Sequence, residues 1–308
     1  MATVAMIGLG AIGASYAALL QAGGNRVQVI ADPSRVEKYG SDPTVVNGRV
    51  HAFDVVGAAE AESADIVLVA VKQPQLPEAV ELARGAVGPD TVIVSLLNGI
   101  SSEKVISAAF PGIPVPLSYI VGIDAVRDGR DVRYSSLGRL VLGDPVNTAP
   151  YSPAVRRVVE TLSPSGIPCE VPADMVSSLW WKFMINVGVN QVSAVLRAPY
   201  GAFQAEGSPA RAVMLAAQRE VIEVGVSQGV VLGEDAIPRW LEVLGTLDPA
   251  GYTSMAQDVL ARRPTEVEIF AGEIVRLASA AGVPVPVNTT LLQLLRALDL
   301  QSQAPGEH

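Results

Sequence analysis

The sequence predicts an α/β fold in its first half and an all-helical second half, and three observations carry that reading. First, "TVAMIG", "VQVIA", "DIVLVAV" and "TVIVSLL" are short, nearly continuous Val/Ile/Leu runs, each closed by Gly, Asp, Lys or Asn, the pattern of strands buried on both faces of a parallel sheet. Second, helical stretches separate these runs, as crossovers between parallel strands require. Third, after "SGIPCEVPAD" the β runs give way to apolar residues spaced three and four apart, interrupted at "APYG", "GEDAIP" and "LDPAGYT". The expected division is 1–170 for the α/β part and 171–308 for the helical part.

Composition agrees with a folded chain. Of 308 residues, 49% are apolar and 17% charged, and only the terminal "QSQAPGEH" reads as unstructured. The formal net charge of −9, with no block of Lys or Arg, argues against nucleic acid or an anionic membrane surface as partner. The apolar runs are far shorter than the roughly 20 residues of a membrane span, and the N-terminus carries no basic stretch followed by a cleavage site, so a cytoplasmic protein is expected. Cys169 is the only cysteine and His51 and His308 the only histidines. That excludes an internal disulfide and argues against a zinc site or a cysteine nucleophile with a histidine base.

The first strand runs into "GLGAIG", in which Gly8, Gly10 and Gly13 have G-x-G-x-x-G spacing and open a helix. In that context Gly8 makes a tight turn, Gly10 lets a pyrophosphate approach the backbone, and Gly13 lets the helix pack on the strand. Leu9, Ala11 and Ile12 then present backbone N–H groups at a helix N-terminus, where phosphate is favoured. The first half therefore reads as a Rossmann-type, doubly wound domain for NAD or NADP. Asp32 ends the second strand, where a carboxylate accepts bonds from ribose and repels a 2′-phosphate, favouring NAD. Arg35 follows closely and is suited to a 2′-phosphate, so NADP stays open. Asp32 also has a plainer reading as the turn residue before Pro33. Two later runs, "VPLSYIVGI" and "GRLVLGD", joined by the turn signal "RDGRD", are expected to extend the same sheet.

In the helical half, "WWKFMINVGVN" sets Ser178, Lys182, Asn186 and Asn190 four residues apart among apolar side chains. On an α-helix each such step advances the direction by only about 40°, so the four form a narrow polar stripe. Because apolar residues fill every other direction, the stripe is expected to face a cleft or an internal polar network. A partly desolvated lysine is a suitable proton donor to a carbonyl oxygen, and asparagines orient polar groups without adding charge.

These residues resemble the ketopantoate reductase family over nearly the whole chain: "GLGAIG", "VAVKQPQ", "SLLNGI", "WWKFMINVGVN", "SMAQDVLARRPTEVEIFAGEIV" and "GVPVPVNTTL". The resemblance implies a two-domain reductase of 2-dehydropantoate, using NADPH, with its site in the cleft between the domains. It implies that Lys182 is the general acid and that Asn186, Asn190 and Ser254 bind substrate. Asn98 would lie between nicotinamide and substrate, Lys72 beside the cofactor, and Glu266 would complete the site. Read by themselves, Asn98 and Lys72 follow strands of the parallel sheet, where such folds place ligands. Glu266 follows Pro264, which reads as the first residue of a helix, and Ser254 reads as a helix cap.

The family norm of arginine at the position of Asp32 is not met. Its NAD-dependent, mandelate-type members therefore remain an alternative, alongside a sensor that binds a dinucleotide without chemistry. The long apolar helices of the second half offer a surface for a homodimer.

Overall fold

The computed structural model describes residues 1–303. The chain divides into two compact units, Met1–Val176 and Ser177–His308.

In the first unit the four apolar runs form strands β1 (Thr3–Ile7), β2 (Arg26–Ile30), β6 (Ala64–Val69) and β7 (Val87–Ser95). Together with the short β5 (Asp54–Val56) they make a wholly parallel sheet in the order β5-β2-β1-β6-β7. Alternation along the strands explains why apolar residues dominate them, and the buried Gln28 of β2 is satisfied by accepting from Glu62 N at 3.0 Å. Val4 and Met6 of β1 enter one core and Ala5 and Ile7 the other, and β6 divides in the same way, with Ile66 and Leu68 opposite Val67 and Val69. Helix α1 (Ala11–Ala22) fills the first core with Ala14, Tyr16 and Leu20. The other face is covered by α3 (Leu76–Ala83), through Leu76, Ala79 and Val80, and by α4 (Ser102–Ala109), through Ile106. Helix α2 (Pro33–Ser41) follows β2.

The two later runs, expected from the sequence to extend this sheet, do not join it. They form a long antiparallel hairpin, β8 (Leu117–Asp128) and β9 (Asp131–Gly143), turning where "RDGRD" predicts. The hairpin belongs to a second sheet, completed by β3 (Thr44–Val46), β4 (Arg49–His51) and β10 (Cys169–Glu170). The physical reason lies in α1, which is buried along most of its length, so its far side needs apolar cover as well. Val132, Leu140 and Leu142 of β9 supply that cover, with Val158 and Leu162 of α5 (Pro153–Leu162) in the same core.

The second unit is entirely helical among the described residues. Its helices are α6 (Met175–Ile185), which begins just before the division, α7 (Gln191–Leu196), α8 (Gly201–Gln204), α9 (Pro209–Ser227), α10 (Ala236–Thr246), α11 (Ser254–Leu260), α12 (Ala271–Ala281) and α13 (Pro286–Gln303). The break at "LDPAGYT" falls wholly between helices, while "APYG" and "GEDAIP" run into the starts of α8 and α10. No helix is long and apolar enough to cross a membrane among the described residues. Part of the tail read as unstructured is helical. Gln301–Gln303 close α13, which is anchored upstream by buried Leu291, Leu292 and Leu295, while residues 304–308 lie outside the described residues.

Candidate active site

In the first unit the glycine loop joins β1 to α1. Gly8 has φ +94°, and a Cβ there would lie 2.6 Å from the Ala70 carbonyl oxygen, so both backbone angle and space demand glycine. A Cβ on Gly13 would fall 1.9 Å from the Gly8 carbonyl oxygen. That contact seats the helix against the strand. Gly10 differs, since the nearest protein atom to a Cβ there is 3.9 Å away. It is exposed and stands at the N-cap of α1 with no side-chain cap, which leaves the first N–H groups of Ala11, Ile12 and Gly13 available to an anion.

Beside this loop runs a groove lined by Gly8, Leu9, Ile30, Ala31, Arg35 and Tyr39. Open glycine backbone, an uncapped helix N-terminus and an apolar wall suit a dinucleotide. Tyr39 and Arg127 were not singled out in the sequence. The Arg127 guanidinium lies over the Tyr39 ring and donates to the Leu9 carbonyl oxygen. No local pattern marks them, because β8 delivers Arg127 from far along the chain.

Asp32 has a defined structural role. It is the N-cap of α2, with Pro33 at the first helical position. Its Oδ1 accepts from the Ser34 hydroxyl (2.5 Å), Ser34 N (3.0 Å) and Arg35 N (3.1 Å), and Arg35 Nε lies 3.2 Å from Oδ2. These interactions, the Ser34 hydroxyl first, hold the carboxyl below its usual range. Arg35 is therefore already engaged by Asp32.

Lys72 lies beyond β6, exposed, and precedes a short 3-10 turn, with its backbone N donating to Gln75 Oε1 at 3.3 Å. Asn98 is half-buried in the loop after β7, next to Gly99 with φ +95°. Below that loop Glu103 is buried, accepting from Ser102 Oγ (2.9 Å) and Ser118 N (3.2 Å), and burial pushes its carboxyl upward. Cys169 packs against the core, and burial raises its thiol pKa, the opposite of nucleophile activation.

The helical unit holds the main surprise. The lysine–asparagine stripe does not lie on one uninterrupted α-helix, because residues Asn186–Asn190 form a π-helical turn between α6 and α7. A turn closed from i to i+5 needs more than four residues per revolution. A step of four there falls short of a full turn instead of overshooting it by about 40°. The π-turn thus reverses the drift of the stripe, and such turns concentrate at functional sites.

Gly188 allows this turn to approach α9. A Cβ there would lie 2.5 Å from Gln218 Cγ, and the fully buried Gln218 amide has no hydrogen-bond partner among the described residues. Asn186 and Asn190 are 5% and 7% exposed. Lys182 keeps part of its stem accessible, yet its ammonium is enclosed, and that desolvation pushes its pKa down to about 8.

Two local readings need correction. Ser254 is not the cap of α11: Thr253 is, its Oγ1 accepting from Ala256 N at 3.2 Å, and Ser254 is the exposed first residue of the helix. Pro264 does not open a helix. Residues 263–266 are irregular, and Glu266 immediately precedes the three-residue 3-10 turn Val267–Ile269, too short to supply a helix dipole. Thr265 is instead drawn to Asp299 of α13, donating N–H at 3.0 Å and hydroxyl at 2.8 Å, and this holds the segment away from helical pairing. Lys182, Asn186 and Asn190 thus share one helical run, and α11, which carries Ser254, packs against α7 and the π-turn. The glycine loop and Arg35 share the groove of the first unit.

A doubly wound unit with a glycine cradle, followed by a helical unit with an enclosed lysine, defines the class of NAD(P)-dependent oxidoreductases. The family model of ketopantoate reductase PanE/ApbA matches residues 4–147, and the model of the ketopantoate reductase PanE/ApbA C terminal matches residues 174–299. The chain belongs to the ketopantoate reductase family. It is 27% identical over 294 residues to the 2-dehydropantoate 2-reductase of Pyrobaculum aerophilum, covering 95% of this chain and 96% of that one. The structure of the Methylococcus capsulatus 2-dehydropantoate 2-reductase matches with TM-score 0.84 at 27% identity, over 98% of each chain. A D-mandelate dehydrogenase solved with NADH and anilino(oxo)acetate shares the fold, with TM-score 0.85 at 21% identity over 98% of this chain and 100% of that one.

Proposed function

We propose that this protein reduces the ketone of 2-dehydropantoate to the 2-hydroxy acid pantoate, with Lys182 as general acid. The observation that carries the reading is Lys182 itself, a lysine enclosed until its pKa approaches 8, followed by two buried asparagines on the next turns. At neutral pH such a lysine is still mostly protonated, yet it yields its proton far more readily than a solvated one. Gly8, Leu9, Gly10, Ala11, Ile12 and Gly13 would hold the pyrophosphate, Asp32 and Arg35 the adenosine side, and Lys72 and Asn98 the nicotinamide side. When bound, the reduced nicotinamide supplies the hydride.

The protein's own work is placement and charge. Asn186, Asn190 and Ser254 hold the carboxylate and hydroxyl of the substrate. Lys182 Nζ donates first a hydrogen bond and then a proton to the carbonyl oxygen, while Glu266 and Asn98 fix the geometry. In this reading the first unit binds cofactor, and the helical unit binds substrate and supports a homodimer in the cytoplasm. Exposed Val226 and Val231 favour such an interface, which light scattering tests. Lys182→Ala should remove most of kcat while leaving NAD(P)H binding intact, and near-normal turnover in that variant refutes the assignment.

A second reading, an NADH-dependent dehydrogenase of a bulkier 2-oxo acid, is favoured by one observation. Asp32 caps the helix after β2 and already occupies Arg35, and its carboxylate would repel a 2′-phosphate bound beside it. NADH is accordingly the cofactor we propose. Comparing kcat/KM for NADH and NADPH, with ketopantoate and then phenylglyoxylate, separates the two substrates and tests the cofactor. Absence of any keto-acid-dependent oxidation across such a panel would leave a non-catalytic sensor.

A further inference from the structure

Three side chains of the helical unit form a polar network that no step above uses. Gln191 opens α7 directly after the π-turn, Asn288 lies in the first turn of α13, and Glu220 lies on α9. Gln191 and Asn288 are fully buried and Glu220 is nearly so. Gln191 Nε2 donates to the Val187 carbonyl oxygen at 2.7 Å and to Asn288 Oδ1 at 3.4 Å, and Gln191 Oε1 accepts from Ala271 N at 3.1 Å. Asn288 Nδ2 donates to the Ala217 carbonyl oxygen at 3.1 Å and to Glu220 Oε2 at 2.7 Å. The Glu220 carboxylate also accepts from Val287 N at 2.8 Å and Asn288 N at 2.9 Å, so it closes the N-terminus of α13, where the helix dipole favours negative charge. Both amides thus use their oxygen and both N–H groups. A buried network satisfied to this degree is rigid, and removing one member strands its neighbours without partners.

The ends of the network give it a purpose. Val187 lies inside the π-turn, between Asn186 and Asn190. Ala271 opens α12, just after the 3-10 turn that Glu266 precedes. One amide, that of Gln191, is therefore bonded both to the π-turn that carries the asparagines and to the start of α12, where the short turn that follows Glu266 ends.

We propose that Gln191, backed by Asn288 and Glu220, is a positioning residue of the reaction: it fixes the π-turn relative to the Glu266 segment. The proposal rests on the reading that Asn186, Asn190 and Glu266 hold the 2-oxo acid. A misplacement of about 1 Å at such groups is enough to lower a rate on the order of a hundredfold.

The test uses the full-length enzyme with Gln191→Leu, which removes all three bonds at similar volume, and Gln191→Glu, which keeps the acceptor for Ala271 N. For Gln191→Leu the expected result is a ~10- to 100-fold fall in kcat/KM, with raised KM for the keto acid and an NADH dissociation constant within about twofold of wild type. Gln191→Glu should fall between. Combined with Asn186→Ala or Glu266→Gln, Gln191→Leu should cost less than the product of the single losses, because the positioned group is already gone. A folded Gln191→Leu with wild-type kcat/KM overturns the proposal, as do losses that multiply in both combinations. Where Gln191→Leu does not fold, Gln191→Glu decides: wild-type kcat/KM overturns the proposal and a marked loss with intact NADH binding supports it. Unchanged activity in Asn186→Ala and Glu266→Gln overturns the underlying reading as well. Impaired Asn186→Ala beside unaffected Gln191 variants overturns this proposal alone.

Discussion

Replacing Lys182 by methionine should make the protein more stable while abolishing turnover, and the size of the gain should depend on pH in a defined way. Enclosure lowers the lysine from its ordinary pKa of 10.5 to about 8. At about 1.4 kcal/mol per tenfold, that corresponds to ~3 kcal/mol of destabilisation whenever the folded protein holds the ammonium charged. The folded state binds this proton more weakly than the unfolded chain does. Between pH 8 and 10.5 the unfolded state therefore carries more protons, and wild-type stability rises with pH through that window. Below pH 8 the full penalty applies, and near pH 10.5 it has gone.

Methionine keeps an apolar stem without the charge, so Lys182→Met should gain up to ~3 kcal/mol at pH 7 and only ~1 kcal/mol at pH 10. Urea unfolding followed by tryptophan fluorescence measures this cleanly, because Trp180, Trp181 and Trp240 all lie in the helical unit. The same lysine predicts that wild-type kcat/KM for keto-acid reduction falls about tenfold per pH unit above roughly pH 8, as the donor loses its proton. Equal stability of the two proteins at pH 7, or kcat/KM that stays level to pH 10, would refute the reasoning.

Further outcomes follow from the same structure. Gly13→Ala places a Cβ 1.9 Å from the Gly8 carbonyl oxygen, so fluorescence titration should find NADH binding lost and thermal unfolding a destabilisation of about 1–3 kcal/mol. Gly188→Ala sets a Cβ 2.5 Å from buried Gln218 Cγ. It should raise KM for the keto acid several-fold more than it changes NADH affinity, and steady-state kinetics checks this. Asp32→Ala removes the α2 cap at a cost of ~1 kcal/mol and releases Arg35. The ratio of kcat/KM for NADPH over NADH should then rise, and an unchanged ratio would remove Asp32 from cofactor selection.

Much of the first unit was legible in the chain because its signals are local. Four nearly continuous apolar runs specify strands covered on both faces, and the glycine spacing is dictated by contacts within one strand–turn–helix unit, where Gly8 and Gly13 touch. The second sheet was not legible. The strands β8 and β9 look like any other β runs, and only the burial of α1 on two sides determines that they cover the helix instead of lengthening the parallel sheet. Ser254 and Glu266 were found through motif and not through local chemistry. The neighbouring Thr253 has the better geometry for capping, and Asp299, far along the chain, draws Thr265 out of helical pairing.

"WWKFMINVGVN" marks the boundary between the two kinds of information. Its composition and four-residue spacing are sufficient to place a lysine and two asparagines on one polar line inside an apolar helix. Periodicity has no means of announcing that the line passes through a π-turn, since the wider turn is held by contacts from elsewhere. Those contacts are Gly188 against Gln218 of α9 and Gln191 bonded to Asn288 and Ala271, residues distant in sequence that only packing brings together. The degree to which Lys182 loses its water is likewise a property of that packing, and with it the pH at which its proton is available.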